Sequence, residues 1–442
     1  MGVNMNIHKT LTRVLRLPAI LRGLQEGGAN WSLALPQVRD AYQLRQLNEA
    51  WADALANVPF YRWWQEQHHL PSHIDSLADY AQWPVLRKSD LQAHPELLVR
   101  QSKRKFHMSV TGGATGEPLR FGTYPEQGQR VNACMLMARA GLDFLPGHRV
   151  FLFWGHRHFY GHGIKSKVKF FLRQCKDWLN NTYRADACNL SPDYLTFILR
   201  KLNAYQPEVI VAYSASLRVL VRFAKERGLA LCLPQLKCII CTAGPLLKHE
   251  RQEISEFLGA PVYMEYGSMD AGQMAYMAKD GRYHVFHRYR MLHTVNDGEG
   301  NLNLVTTLAK DYLPLFRYQI GDYLQGCTYT GDGRVLSFDE VYGRGSDVIA
   351  LPNGLRFQVL TFMVCAEELK KILAYQIVKR GDNLEFRIQV TAPLTEDEEM
   401  IVREKAYSII PDLRLIGFSI IEVKELIKAP SGKIRLLVEE RV

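Results

Sequence analysis

Three short apolar runs leave few alternatives for the middle of this chain: Val150-Phe151-Leu152-Phe153, Val209-Ile210-Val211-Ala212 and Cys238-Ile239-Ile240-Cys241. None alternates polar with apolar residues, so each reads as a strand covered on both faces, the pattern of sheets flanked by helices. The stretches between them supply those helices, with apolar side chains at helical spacing over Ser191 to Tyr205 and Leu217 to Arg227. From His107 to about residue 340 the alternation predicts an α/β core built on at least one buried sheet.

The flanks read differently. Residues 1–100 are mainly helical, with a long helix over Gln37 to Asn57 and punctuation by Pro59, Pro71 and Pro84. A Gly-rich polar crossing at Gly343-Arg344-Gly345-Ser346-Asp347 marks a boundary. Beyond it the chain is strand-like through Leu384 to Val390, helical from Glu396 to Ser408 with an acidic first turn, and strand-like through Phe418 to Val423. A chain of 442 residues exceeds one compact core. The expected division is a large unit over 1–342, a crossing at 343–347 and a small α+β unit over 348–442.

Composition narrows the function. The formal net charge of +10 is spread along the chain with no helix-turn-helix, zinc-finger or aromatic RNA-binding pattern, so nucleic acid is not the expected partner. A basic surface also steers nucleotides and phosphorylated substrates. No run of about 20 apolar residues is present to cross a bilayer. Residues 1–24 form a basic amphipathic stripe, with Leu11, Val14, Leu15, Leu17, Ile20 and Leu21 among Lys9, Arg13, Arg16 and Arg22, interrupted by Pro18. The expectation is that this stripe docks on the protein's own core rather than on a membrane surface. Asn6 stands where a myristoylation signal would carry Ser or Thr. Eight irregularly spaced cysteines form no disulfide framework, which suits a reducing, cytoplasmic setting. The Cys238/Cys241 pair lies in an apolar run with no second CxxC, and reads as buried strand rather than a zinc or redox site.

The segment Ser109-Val110-Thr111-Gly112-Gly113-Ala114-Thr115-Gly116-Glu117-Pro118 concentrates three glycines and three hydroxyl residues. Glycines let backbone N–H groups converge on phosphate oxygens, and hydroxyls add donors. No Gly-Lys-Ser/Thr closes it, so it is not a Walker loop. Trp154-Gly155-His156-Arg157-His158-Phe159-Tyr160-Gly161-His162 follows the end of an apolar strand. Its His156, His158 and His162 suit a phosphate, a metal or an acidic acyl group, and His156 is the one best placed to face a ligand.

Five segments in a fixed order resemble the adenylate-forming (acyl-CoA synthetase) superfamily, in its phenylacetate-CoA ligase-like branch that includes capsular polysaccharide biosynthesis-associated proteins. Thr111 to Pro118 is similar to the phosphate loop, and Tyr266-Gly267-Ser268-Met269-Asp270 to a Tyr-Gly-x-x-Glu motif. Arg317-Tyr318-Gln319-Ile320-Gly321-Asp322 is similar to the ribose-binding Gly-Asp segment. Gly343 to Asp347 resembles the hinge, and Pro430-Ser431-Gly432-Lys433 the catalytic-lysine motif. The resemblance spans roughly residues 50–440.

What the resemblance implies is an AMP-forming carboxylate ligase with a large adenylation domain and a small mobile α+β lid. A carboxylate would attack the α-phosphate of ATP, giving an acyl adenylate and pyrophosphate, and the acyl group would pass to CoA or to another thiol or amine. Thr111, Gly112, Gly113, Thr115 and Gly116 would hold phosphates. Ala243, Gly244 and Pro245, with Tyr266, Gly267 and Ser268, would wall the nucleotide site, Tyr266 stacking on adenine. Asp322 has two acceptor oxygens suited to the ribose diol. Lys433 would bridge the acid and the α-phosphate, Arg344 would contact the ribose or fix the lid, and His156, Tyr213 and Ser214 would face the acid. Asp270 would serve Mg2+, a hard cation that prefers oxygen ligands, with a side chain one methylene shorter than the family's glutamate. Glu117 stands where several relatives carry lysine. Two alternatives stay open: a nucleotide- or acyl-binding protein without chemistry, and a ligase that transfers to an amine or hydroxyl without CoA.

Overall fold

The structure, a computed structural model, describes residues 10, 14, 17, 18, 21–25, 33–110, 119–154, 164–187, 189, 191–244, 246, 248–298, 300–342, 348–350, 356–362, 365, 366, 368, 369, 371–427 and 436–440. The three apolar runs are strands β3 (Val150–Phe153), β5 (Val209–Tyr213) and β6 (Cys238–Thr242), as their composition requires. Before them lie β1 (His107–Val110) and β2 (Arg120–Thr123), an antiparallel pair flanking the Gly/Thr segment 111–118, which itself lies outside the described residues. With β4 (Thr182–Ala185) and β7 (Val262–Ser268), strands β3, β5 and β6 form the parallel half of a nine-stranded sheet. Its antiparallel half adds β8 (Gly272–Met277), β9 (Tyr283–Val285), β13 (Thr328–Tyr329) and β14 (Val335–Phe338), in the order β13-β14-β9-β8-β7-β6-β5-β3-β4.

Each parallel strand is reached through a helix, and Pro192–Tyr205, Ser214–Glu226 and Lys248–Leu258 bury their apolar stripes in one core with the sheet. Every residue of β6 is buried. Burial pushes the thiols of Cys238 and Cys241 up to about 12, away from the thiolate that zinc binding or disulfide exchange needs, in agreement with the strand reading.

A second sheet of four antiparallel strands was not evident from the sequence: β10 (Arg290–Asn296), β11 (Asn301–Thr307), β12 (Tyr318–Gln325) and β15 (Glu340–Tyr342), in order. Over it packs the helical N-terminal layer, whose long helix runs Pro36–Asn57 as its periodicity predicts. Trp51 joins the two, with edge contacts to Tyr61, Trp64, Trp83 and Phe316 at centroid distances of 5.0–6.3 Å. Edge-to-face pairs of this kind add about 0.5–1.5 kcal/mol each beyond area burial.

A separate apolar cluster gathers side chains from Ile349 to Leu437. It contains β16 (Val348–Ala350), β17 (Arg356–Gln358) and a mixed sheet of β18 (Ile372–Arg380), β19 (Asn383–Val390), β20 (Gly417–Glu422) and β21 (Leu437–Glu440), ordered β20-β19-β18-β21. The helix Glu396–Ile409 begins where Thr395 and Glu398 form a reciprocal capping box. This cluster meets the main core where Ala374 and Leu426 are buried among its side chains and Arg222 Nη1 donates to the Ile372 carbonyl at 3.3 Å.

One expectation is revised at the N-terminus. Among the described residues of the stripe, Gly23 is buried against Leu136, and Arg22 donates to Gln129 Oε1 at 2.9 Å. Val14, Leu17, Leu21 and Leu24 are instead 63, 51, 51 and 67% exposed. Of these described residues, Gly23 and Arg22 make the contact and the four larger apolar side chains stay outside; Leu11, Leu15 and Ile20 lie outside the described residues. No described helix is long and apolar enough to cross a membrane.

Candidate active site

The carboxyl ends of β3, β5, β6 and β7 open onto one edge of the large sheet, the place where α/β sheets bind ligands. At β6 the chain leaves the sheet through Thr242, Ala243 and Gly244. Ala243 adopts φ +68°, and both Ala243 and Gly244 are exposed, so their backbone faces outward at the strand end. Thr242 Oγ1 donates to the Glu265 carbonyl of β7 at 3.2 Å. Ser214, at the end of β5, is 1% exposed, and its hydroxyl is directed at the carbonyls of Thr242 (3.2 Å) and Gly244 (3.0 Å). Its described contacts therefore brace one loop against the next. Tyr213 is half-buried and packs on Trp154 with ring centroids 4.6 Å apart.

Strand β7 carries Tyr266 and Gly267 and ends at Ser268, whose Oγ accepts from the Ala271 N–H at 3.0 Å and shapes the turn holding Asp270. A Cβ at Gly267 would stand 2.8 Å from both Gln273 Oε1 and the Gly272 carbonyl. That space is closed by backbone, so only glycine fits. We predict that Gly267→Ala lowers unfolding stability by about 1–3 kcal/mol, the range for overpacking, measured by urea denaturation. An unchanged midpoint would show that the strand yields freely.

The second sheet completes the site. Leu304 pairs with Gln319 and Leu302 with Tyr323, so residues 320, 321 and 322 of β12 stand opposite the single residue Asn303. Such a bulge re-aims side chains, and Gly321 adopts the φ of +86° that it needs. Asp322 thereby meets β7: the Tyr266 hydroxyl donates to Asp322 Oδ2 at 2.8 Å and accepts from Asn303 Nδ2 at 3.0 Å. The donation into the Tyr266 hydroxyl polarises it and strengthens its grip on the carboxylate. Four residues earlier, the Tyr318 hydroxyl donates to Asp270 Oδ2 at 2.9 Å. Two tyrosines thus clamp two carboxylates across the junction of the sheets.

Tyr266 is 7% exposed, with its ring edge-on to Phe338 at 5.9 Å. Its defined contacts are the hydroxyl network and this packing. Asn303 is fully buried, and its Oδ1 finds no hydrogen-bond partner among the described residues. Beneath β7, Arg139 forms a bidentate pair with Glu265 at 2.7 and 3.0 Å, fixing the helix Pro125–Gly141 to the strand that carries the motif.

The structure brings together Tyr213, Ser214, Ala243, Gly244, Tyr266, Gly267, Ser268, Asp270 and Asp322, which lie far apart in sequence. Thr111, Gly112, Gly113, Thr115, Gly116, His156, His158, His162, Pro245, Arg344, Lys433 and the hinge 343–347 lie outside the described residues. Tyr318 and Asn303 were missed as site residues. Tyr318 stands inside the Gly-Asp segment, so its position carried a signal. Asn303 stands in Asn301-Leu302-Asn303-Leu304, where alternation suggests a solvated face.

Magnesium can be tested against these residues. Among the described residues no three His, Cys, Asp or Glu side chains converge. Mg2+ in nucleotide enzymes is usually held by one or two carboxylates with substrate phosphates and waters, and Asp270 alone satisfies that pattern.

The chain has the fold of the adenylate-forming ligases. Its backbone superposes on 2-hydroxyisobutyryl-CoA ligase, solved in the postadenylation state with R3-HIB-AMP, at a TM-score of 0.67 and 16% identity, covering 92% of this chain and 90% of that one. The same ligase with 2-HIB-AMP and CoA in its thioesterification state gives 0.57 at 18% identity, covering 92% and 91%. Protein CapK of Staphylococcus aureus is 23% identical over 303 residues, which take in 66% of this chain and 64% of CapK, less than two thirds of that protein. No protein-family model matches the chain.

Proposed function

We propose that this protein activates a carboxylic acid with ATP, forming an acyl adenylate and pyrophosphate, and then passes the acyl group to CoA. The observation that carries this reading is the clamp at the sheet junction. It fixes Asp322 and Asp270 through Tyr266 and Tyr318, on a fold shared with a ligase solved with acyl-AMP. The finer assignments are a phenylacetate-CoA ligase-like subtype and a cytoplasmic setting.

In this reading Asp322 accepts the vicinal ribose hydroxyls, and Tyr266 and Asn303 hold it in place. The Ala243-Gly244 backbone lies along the base. Asp270 serves Mg2+, which would supply charge neutralisation at the phosphates, and Tyr318 fixes the carboxylate that would hold it. The acid's oxygen attacks the α-phosphorus as the bond to pyrophosphate breaks. The work of the protein is positioning and electrostatic stabilisation. Thr111 to Gly116 would cradle the phosphates. Lys433 would balance charge where acid and α-phosphate meet, carried by the unit that follows 343–347.

The test is acid-dependent ATP–pyrophosphate exchange across a panel of carboxylic acids, followed by CoA or amines as acceptors. Exchange with one acid class, and thioester formation with CoA, is the expected result. No exchange with any acid, together with no ATP binding by calorimetry, would sink the enzyme reading. Lys433→Ala is expected to slow exchange by about a hundredfold to a thousandfold while ATP affinity stays near normal. An unchanged rate would refute the role of that lysine.

A further inference from the structure

The helix Ile164–Leu179 exposes most of its described apolar side chains. At 3.6 residues per turn, positions 164, 168, 171, 172, 175, 178 and 179 fall on one stripe, and all are apolar or cysteine. A surface helix ordinarily presses such a stripe onto its own protein. Here Val168, Phe171, Leu172 and Trp178 are 52, 63, 61 and 63% exposed, and Leu179 and Cys175 are exposed too. Among its described side chains the one that is buried is a charged one: Asp177 is 8% exposed and forms a bidentate pair with Arg184 of β4 at 2.7 and 3.0 Å, with Arg173 Nε 3.4 Å away. The buried ion pair sets the rotation of the helix, and that rotation sends the apolar stripe outward.

We propose that this helix docks the protein on the surface of an anionic lipid bilayer, its apolar stripe seated at the headgroup–acyl boundary. A lipid surface is the occupant that the charge pattern fits. Outside the Arg173–Asp177–Arg184 cluster the helix carries Lys165, Lys167, Lys169 and Lys176 and no acidic residue. The whole chain adds to this with +10. Cations flanking exposed Phe, Leu and Trp are the composition of helices that lie in the interface, and 16 residues with five cations cannot span it. A second copy of the chain would set this cationic helix against itself, which like charges oppose. The exposed Val14, Leu17, Leu21 and Leu24 give the protein another, secondary apolar stripe that adds to the attachment made by Ile164–Leu179. The proposal stands whether or not the adenylation reading does.

Cosedimentation of the full chain with vesicles tests it. Binding is expected to vesicles of phosphatidylcholine mixed with phosphatidylglycerol, not to phosphatidylcholine alone, and to weaken as salt is raised. The triple variant Phe171→Ser/Leu172→Ser/Trp178→Ser should lower partitioning by about tenfold or more with an unchanged urea midpoint, because the altered side chains are exposed. The variant Leu17→Ser/Leu21→Ser should keep most of the binding. The proposal is overturned by no binding to anionic vesicles at low salt, or by a triple variant that partitions like the parent. It is equally overturned by a triple variant whose only change is conversion of a dimer to a monomer in sedimentation velocity, which would make the face a contact between copies.

Discussion

Asp322→Ala is expected to lower acid-dependent ATP–pyrophosphate exchange about a thousandfold at subsaturating ATP. A carboxylate that accepts both hydroxyls of a ribose makes two hydrogen bonds to a charged group, each contributing about 1.5–3 kcal/mol. Losing about 4 kcal/mol in total corresponds to three orders of magnitude. Tyr266→Phe separates holding from binding, because it leaves the carboxylate in place and removes the 2.8 Å bond that orients it, together with the 3.0 Å bond from Asn303 Nδ2. About a tenfold rise in KM for ATP with little change in kcat is expected, the effect of one misplaced acceptor. Initial rates over a range of ATP concentrations for both variants decide the matter. An Asp322→Ala protein that exchanges at nearly the parent rate removes the nucleotide from this end of β12.

Acid should unfold the protein through one histidine more steeply than through a surface one. His293 of β10 is 3% exposed, neither ring nitrogen has a hydrogen-bond partner among the described residues, and Arg317 and Arg334 lie close enough to oppose a charge there. Burial first, then these two cations, push its pKa down from 6.5 to about 3. Above pH 6.5 the ring is neutral in both folded and unfolded chains, and it contributes nothing to the pH dependence. Below 6.5 the unfolded chain takes up a proton that the folded chain refuses, so stability falls as pH drops, until the folded pKa is reached. One such proton costs at most about 1.4 kcal/mol per pH unit, or about 2 kcal/mol between pH 6.5 and 4.5. In His293→Phe that increment should vanish, making the profile of urea stability against pH flatter by one proton. Parallel profiles for parent and variant would show that the ring is already solvated in the folded state.

How much of this was legible in the sequence depended on what each segment touches. Val209 to Ala212 and Cys238 to Cys241 announce themselves because a strand covered on both faces needs apolar residues at every position. The helix Glu396–Ile409 was equally visible, since its capping box and acidic first turn are local chemistry. The site was legible as separate motifs but not as a connected device. Nothing in the order of residues says that a bulge opposite Asn303 swings Asp322 toward Tyr266, or that Ser214 spends its hydroxyl on two carbonyls. Those are decisions of register and of contact between sheets. The rotation of the helix Ile164–Leu179 was hidden for a different reason. Amphipathic spacing is the same whichever face turns inward, and here the buried pair Asp177–Arg184 made the choice.

The slender seam between the two cores has an energetic meaning of its own. Among the described residues beyond 347, Ala374 and Leu426 are the side chains buried in the larger core, and Arg222 donates to the Ile372 carbonyl across the seam. Burial of two such side chains contributes about 3 kcal/mol, so an undocked arrangement would be populated at somewhat under one per cent. A ligand that favours the undocked arrangement by about 3 kcal/mol makes the two equal, and one that favours it by about 6 kcal/mol inverts the ratio. In the proposed adenylation reading, the seam would act as a latch: firm enough to hold one posture at rest, and weak enough for nucleotide binding to bias it.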